Sequence, residues 1–153
     1  MATRFQATVT VPASPQRVFD LLTNPARHNE FDATGMVGPP VSPARLTRAG
    51  QVFVMNMTYR HDDHVEHYQS DNHVITFEPP RAVGWATATH DGEPLGWRWR
   101  YDVEPAADGA AVTLTYDWTG TPPENIRRFG VPLTDTDGLA RSLRLLSEAC
   151  KAR

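Results

Sequence analysis

The chain has 153 residues, 40% of them apolar, with 15 Lys and Arg against 18 Asp and Glu and a formal charge of −3. That length suits one domain, residues 1–153, with a real core, and the weak acidity argues against nucleic acid as a partner, since affinity there comes from neutralised phosphates. A single cysteine, Cys150, excludes an intrachain disulfide, and no run of about 18 apolar residues exists to span a bilayer.

The first stretch, Met-Ala-Thr-Arg-Phe-Gln, has no apolar core of the signal-peptide kind, so a cytoplasmic location is expected, as monomer or homodimer. Phe5, Ala7, Val9 and Val11 then alternate with Arg4, Gln6, Thr8 and Thr10, the period of a half-buried strand. Pro12 ends it. Ser14 is placed to cap a helix with Pro15 at its first position, where a missing N–H costs nothing, and Val18, Phe19 and Leu22 give that helix its apolar face. Asn24-Pro25 repeats the device and starts a second short helix running toward Phe31. Residues 32–50 hold Gly35, Gly38, Pro39, Pro40, Pro43 and Gly50 and read as a long loop, the length at which a loop serves as a functional rim or is disordered.

From residue 51 the pattern is strand after strand. Phe53, Met55, Met57 and Tyr59 alternate with Val54, Asn56 and Thr58. Residues 67–78 and 82–90 read as two more strands, the latter with Trp85 in its middle. Asp91-Gly92 and Asp108-Gly109 are strong hairpin signals. The hairpins bound a strand in which Trp97, Trp99, Tyr101 and Val103 alternate with Arg98, Arg100 and Asp102, followed by one in which Val112, Leu114, Tyr116 and Trp118 alternate with Thr113, Thr115 and Asp117. Consecutive hairpins make an antiparallel meander with one polar face in water. Residues 120–133 are rich in Pro and Gly, yet Ile126, Phe129, Val131 and Leu133 make the segment too apolar for a solvated linker, so it is expected to pack as a lid. The last element is amphipathic. Leu139, Leu143, Leu146 and Cys150 fall on one helical stripe, Arg141, Arg144 and Glu148 fall off it, and Asp135, Thr136 and Asp137 offer capping oxygens in front.

Strand, two short helices, proline-rich loop, meander and long C-terminal helix is the helix-grip order. The chain resembles the START-like superfamily of the pollen allergens, and within it the SRPBCC family of polyketide cyclase/dehydrase and lipid-transport proteins. Three stretches carry the likeness: Val9 to Pro25, Val74-Ile-Thr-Phe-Glu-Pro-Pro-Arg-Ala-Val-Gly-Trp85, and Leu139-Ala-Arg-Ser-Leu-Arg-Leu-Leu146. The resemblance implies an α+β fold: a curved seven-strand antiparallel sheet wrapped on the C-terminal helix, with an apolar cavity between them. Six strands are plain in this sequence, and residues 61–67 hold either a break or the seventh.

The aromatic face is the main functional signal. Met55, Met57 and Tyr59, then Trp85, then Trp97, Trp99 and Tyr101, then Tyr116 and Trp118 are expected on the concave side, with Phe31, Leu139 and Leu143 closing over them from the helices. Such faces suit a small hydrophobic or aromatic molecule, lipid- or polyketide-like; the same residues also serve as plain core under a helix. A cavity is expected to open between residues 32–50 and 120–133.

The run His61-Asp-Asp-His-Val-Glu-His67 has the composition of a metal site. In a strand, however, His64 and Glu66 part from Val65 and His67, and in a turn the group stays open to water, so no metal is expected there. No cofactor is expected either. No Gly-x-Ser-x-Gly, phosphate-cradling glycine loop or Cys-x-x-Cys is present, and Cys150 on its apolar stripe reads as a packed, inert thiol. Acid–base chemistry of a cyclase or dehydrase, a lyase or isomerase reaction, would need a polar group in the cavity; Tyr59, His67, Arg98 and Tyr101 are available by type. Three readings therefore stand: a ligand-binding protein without turnover, an enzyme of the cyclase/dehydrase kind, and a protein-interaction module.

Overall fold

The computed structural model describes residues 2–151. Its seven strands form one antiparallel sheet in the order β1-β7-β6-β5-β4-β3-β2. The strands are β1 (Arg4–Val11), β2 (Val37–Pro40), β3 (Val52–His61), β4 (His64–Glu78), β5 (Ala82–Thr89), β6 (Pro94–Ala106) and β7 (Gly109–Asp117). The helices are α1 (Pro15–Leu22), a 3-10 helix (Pro25–Phe31), α2 (Pro123–Phe129) and α3 (Thr136–Lys151). This is the helix-grip α+β fold, with α3 against the inside of a curled sheet.

The register shows why each strand has two chemistries. Trp99 pairs with Tyr116 and with Trp85, Tyr101 with Leu114, and Phe5 with Tyr116, so the large apolar side chains of β1, β5, β6 and β7 share the concave face. The convex face takes the other set. There Thr8 Oγ1 lies 2.8 Å from Thr113 Oγ1, and Gln6 donates to Thr115 at 2.9 Å, polar cross-strand pairs that water can also serve.

The caps expected of α1 and α3 are made. Ser14 Oγ accepts from the Arg17 N–H at 3.2 Å, and Asp135 Oδ1 accepts from the Gly138 N–H at 2.8 Å. The leucine stripe of α3 is sealed: Leu139, Leu143 and Leu146 are at most 1% exposed, and Cys150 is buried beside them. Arg17 Nε donates to the Cys150 carbonyl at 2.8 Å, and the Ala33 N–H donates to Ser142 Oγ at 3.0 Å, so the helix is tied to the N-terminal segment at its C-terminal end and near its middle.

Three expectations need correction. The seventh strand is β2, inside the stretch 32–50 that reads as loop, and not residues 61–67, which are a hairpin tip: β3 ends at His61, β4 starts at His64, and Asp62 takes a positive φ of 52° in the turn. β2 hides because it is Val-Gly-Pro-Pro, and proline is tolerated only at an edge, where its missing N–H breaks no ladder. Its Gly38 is needed for the close approach to β3, since a Cβ there would meet the Asn56 carbonyl at 2.8 Å. Finally, Asn24 makes no side-chain cap, and the helix it precedes is 3-10 rather than α. In a 3-10 helix side chains three apart eclipse, and Pro25, His28 and Phe31 are its buried residues.

Candidate functional site

α3 lies against one side of the concave face. It packs on β1, β7 and the 3-10 helix, which leaves most of the inner surface of β3 to β6 without cover from α3. In that space lies a cavity of about 630 Å³. Its sheet wall is built by alternation. Phe53, Met55, Met57 and Tyr59 point inward from β3, and their partners Asn72, Ser70, Tyr68 and Glu66 point inward from β4. Trp85 and Thr87 continue the wall on β5, and Trp97, Trp99 and Tyr101 on β6. Leu139 and Ser142 of α3 close one side. Asp32, Thr34, Met36 and Val37 come from the segment after the 3-10 helix. Arg127 to Gly130, Leu133 and Thr134 come from α2 and the turn behind it. The two proline-rich stretches therefore both border the cavity. α2 is set there by Gly130, whose φ of 69° ends the helix and whose N–H donates to the Ile126 carbonyl. Phe129 is fixed edge-on against Trp97 at 5.5 Å, and the Arg128 guanidinium lies 4.8 Å from the Phe129 ring centre.

Of the twelve residues expected to line the cavity, nine do: Phe31, Met55, Met57, Tyr59 and Trp85, with Trp97, Trp99, Tyr101 and Leu139. Tyr116, Trp118 and Leu143 do not. Leu143 and Tyr116 are fully buried in the packed half of the molecule under α3. Trp99 lies flat on Tyr116, ring centres 4.0 Å apart, and so divides cavity from core. Tyr116 accepts the Leu133 N–H at 3.0 Å on its hydroxyl, and burial pushes its pKa up to about 12. Trp118 packs against Phe5 and Tyr116 at 4.9 and 5.4 Å. Alternation fixed the face of Tyr116 and Trp118 correctly, but not their position across the sheet relative to α3.

Among the four polar side chains available by type, Tyr59 and Tyr101 face the cavity. His67 and Arg98 do not: His67 is exposed beside Thr58 at 3.2 Å, and Arg98 alternates with Trp97 and Trp99 onto the convex face. Among the polar lining residues that sequence reasoning passed over, His28 is the buried titratable one. It is 6% exposed, lies parallel to Trp85 at 5.3 Å, and meets Phe31 and Phe53 edge-on at 5.5 and 5.6 Å. Its Nε2 lies 2.7 Å from the Leu22 carbonyl oxygen, which can only accept, so Nε2 carries the proton and Nδ1 the lone pair. Burial lowers its pKa to about 4 against the partial support of that hydrogen bond, so the ring is neutral at pH 7. Burial also raises the Tyr101 hydroxyl, with the Asp32 carboxylate adding to the effect. The cavity therefore holds a neutral imidazole and a neutral phenol.

The His61–His67 run is a solvated tip. His64 Nε2 lies 3.4 Å from Glu66 Oε2, both more than half exposed. The donor atoms that do converge among the described residues are those of Asp71, His90 and Asp91, within 4.8 Å of one another. Asp71 is already engaged there: one oxygen meets His90 Nδ1 and the other accepts the Asp91 N–H, each at 2.9 Å. That arrangement clamps the β5–β6 hairpin, where Asp91 takes a φ of 62°. Cys150 is buried, and burial raises its thiol.

Comparison with known proteins agrees with this architecture. The family model described as polyketide cyclase / dehydrase and lipid transport matches residues 2–149. The uncharacterised protein Rv0088 of Mycobacterium tuberculosis is 27% identical over 152 residues, which is 98% of this chain and 62% of that protein, so the chain spans under two thirds of its relative's length. A Rhodobacter sphaeroides protein of known structure superimposes with a TM-score of 0.69 at 20% identity, covering 99% of this chain and 94% of the other. DynU16, a protein of the dynemicin biosynthetic locus, gives 0.62 at 14% identity over 99% of this chain and 48% of its own. At these identities the solved structures speak to the fold.

Proposed function

The chain belongs to the polyketide cyclase/dehydrase and lipid-transport family, and on that premise we propose that it binds a small hydrophobic or aromatic molecule between its sheet and its C-terminal helix. The observation that carries this reading is the cavity of about 630 Å³ walled by Phe53, Met55, Trp85, Trp97 and Trp99. That volume lies in the range that buries a ligand of several rings or a short acyl chain, and a mostly apolar wall with a few polar atoms is the usual composition of such sites. The partner in this reading is a small molecule. No helix among the described residues is long and apolar enough to cross a membrane. The kinship of fold with a protein of a biosynthetic locus accords with a role in small-molecule chemistry.

A second reading, turnover of a polyketide-like substrate by acid–base chemistry, is favoured by one specific feature. His28 and Tyr101, two titratable groups, enter the same cavity. The interaction-module reading loses ground because the concave face is hollow rather than filled.

The test is a screen of aromatic polyketides, flavonoids and fatty acids by tryptophan emission. Three of the four tryptophans, Trp85, Trp97 and Trp99, line the cavity, so an occupant should quench or shift the signal. Trp99→Leu should blunt the response. A panel with no effect on emission, in a protein that melts cooperatively, would remove the binding reading.

A further inference from the structure

Among the polar atoms that face the cavity without a protein partner are Nδ1 of His28 and the hydroxyl of Tyr101. Both side chains are more than nine-tenths buried, at 6% and 8% exposure. They are neighbours across the same two rings. Phe31 lies 5.5 Å from His28 and 6.4 Å from Tyr101, and Trp85 lies 5.3 Å and 6.0 Å from them. The Leu22 carbonyl holds the His28 proton on Nε2, so Nδ1 can only accept, while the Tyr101 hydroxyl is free to donate. Among the described residues the polar side-chain atoms that are both sealed in protein and unpartnered are His73 Nε2 and Thr121 Oγ1, so Nδ1 and the Tyr101 hydroxyl open onto the cavity they line.

We propose that His28 and Tyr101 form a subsite for a neutral ring hydroxyl, a phenol or enol: the ligand O–H donates to His28 Nδ1, and the same oxygen accepts from the Tyr101 O–H. This rests on the reading of the cavity as a ligand site and goes beyond it by naming the ligand class. The chemistry selects twice. A bare hydrocarbon leaves an acceptor and a donor buried without partners, which is costly. A carboxylate has no proton for Nδ1, finds no cation in this pair, and meets the negative field of Asp32, which also lines the cavity. The cavity's arginines, Arg127 and Arg128, belong to α2 beside Trp97 rather than to this pair. A hydroxylated aromatic satisfies both atoms and keeps its ring against Phe31 and Trp85.

Calorimetric titration of naphthalene, 2-naphthol and 2-naphthoate at neutral pH tests this directly. The wild type should bind 2-naphthol about tenfold tighter than naphthalene, with 2-naphthoate weakest. Tyr101→Phe removes a hydroxyl that no described residue uses and keeps the ring, so the fold should persist. It should erase most of the preference for 2-naphthol and leave naphthalene unchanged. The nitrogen chemical shift of His28 Nδ1 should move with 2-naphthol and stay put with naphthalene. Equal affinity for 2-naphthol and naphthalene in the wild type, or an undiminished preference in Tyr101→Phe, overturns the subsite while leaving an apolar ligand site intact. Failure of all three compounds to bind overturns the subsite, and the binding reading beneath it then stands or falls with the emission screen.

Discussion

His28 is held by one hydrogen bond and three ring contacts, and burial sets its pKa near 4. That value has a consequence for stability. The unfolded chain protonates this histidine near 6.5 and the folded chain only near 4, so between those values acid favours the unfolded state. Its contribution is full above pH 6.5, falls as pH drops toward 4, and levels off below; the loss is on the order of 3 kcal/mol. His90 acts in the opposite sense. Its hydrogen bond to Asp71 raises its pKa, so its stabilisation is full below 6.5 and is lost as pH rises through the raised value. A urea midpoint sums these two with the lowered carboxyls of Glu30 and Asp117, so the clean measurement is the imidazole proton shifts followed from pH 8 to 3. His28 should titrate near 4 and His90 above 6.5; a His28 midpoint at 6.5 would mean that its ring is not buried as described. Nothing in the sequence marks His28 as a site residue by motif. The one available signal is its place three residues before Phe31 and three after Pro25, a shared face only if the segment is 3-10.

At the scale of elements, α3 decides which aromatic residues are core and which are wall. Strand alternation was enough to put Trp97, Trp99, Tyr101, Tyr116 and Trp118 on one face. It carries no information on where a helix lands across the strands. α3 lands on β1 and β7, so Tyr116 and Trp118 became packing and Trp97 and Tyr101 became lining. The edge strand β2 escaped for another reason: four residues with two prolines give no alternation to read, and their pairing comes from the waiting edge of β3. The helix itself was legible down to its cap, because a period near 3.6, a capping aspartate and a leucine stripe are local signals. Leu143 is fully buried in that stripe, and its side chain contributes about 1.5–3 kcal/mol by burial. Leu143→Asp would put an unpaired carboxylate in the core, so the domain should lose its urea transition or shift it far down. A midpoint within error of wild type would contradict the position given to α3.

The whole molecule is a polar convex shell and an apolar concave hollow, and the hollow exists because one 16-residue helix cannot cover a seven-strand curve. Fold and family were readable from element order, since each element is short-range in its signals. The cavity's volume, its lining by both proline-rich segments, and its neutral polar pair are long-range results of how those elements meet. The central claim is that this hollow takes a ligand, and filling it is the most direct challenge. Met57 points inward from the middle of β3 and is half-buried, so Met57→Trp adds bulk to the space with little cost to the packed core. Calorimetric titration of a ligand found by the emission screen should show saturable, one-to-one binding to the wild type and at least a tenfold weaker affinity for Met57→Trp at an unchanged melting transition. Undiminished binding by Met57→Trp would contradict the account, because the ligand would then sit elsewhere on the molecule.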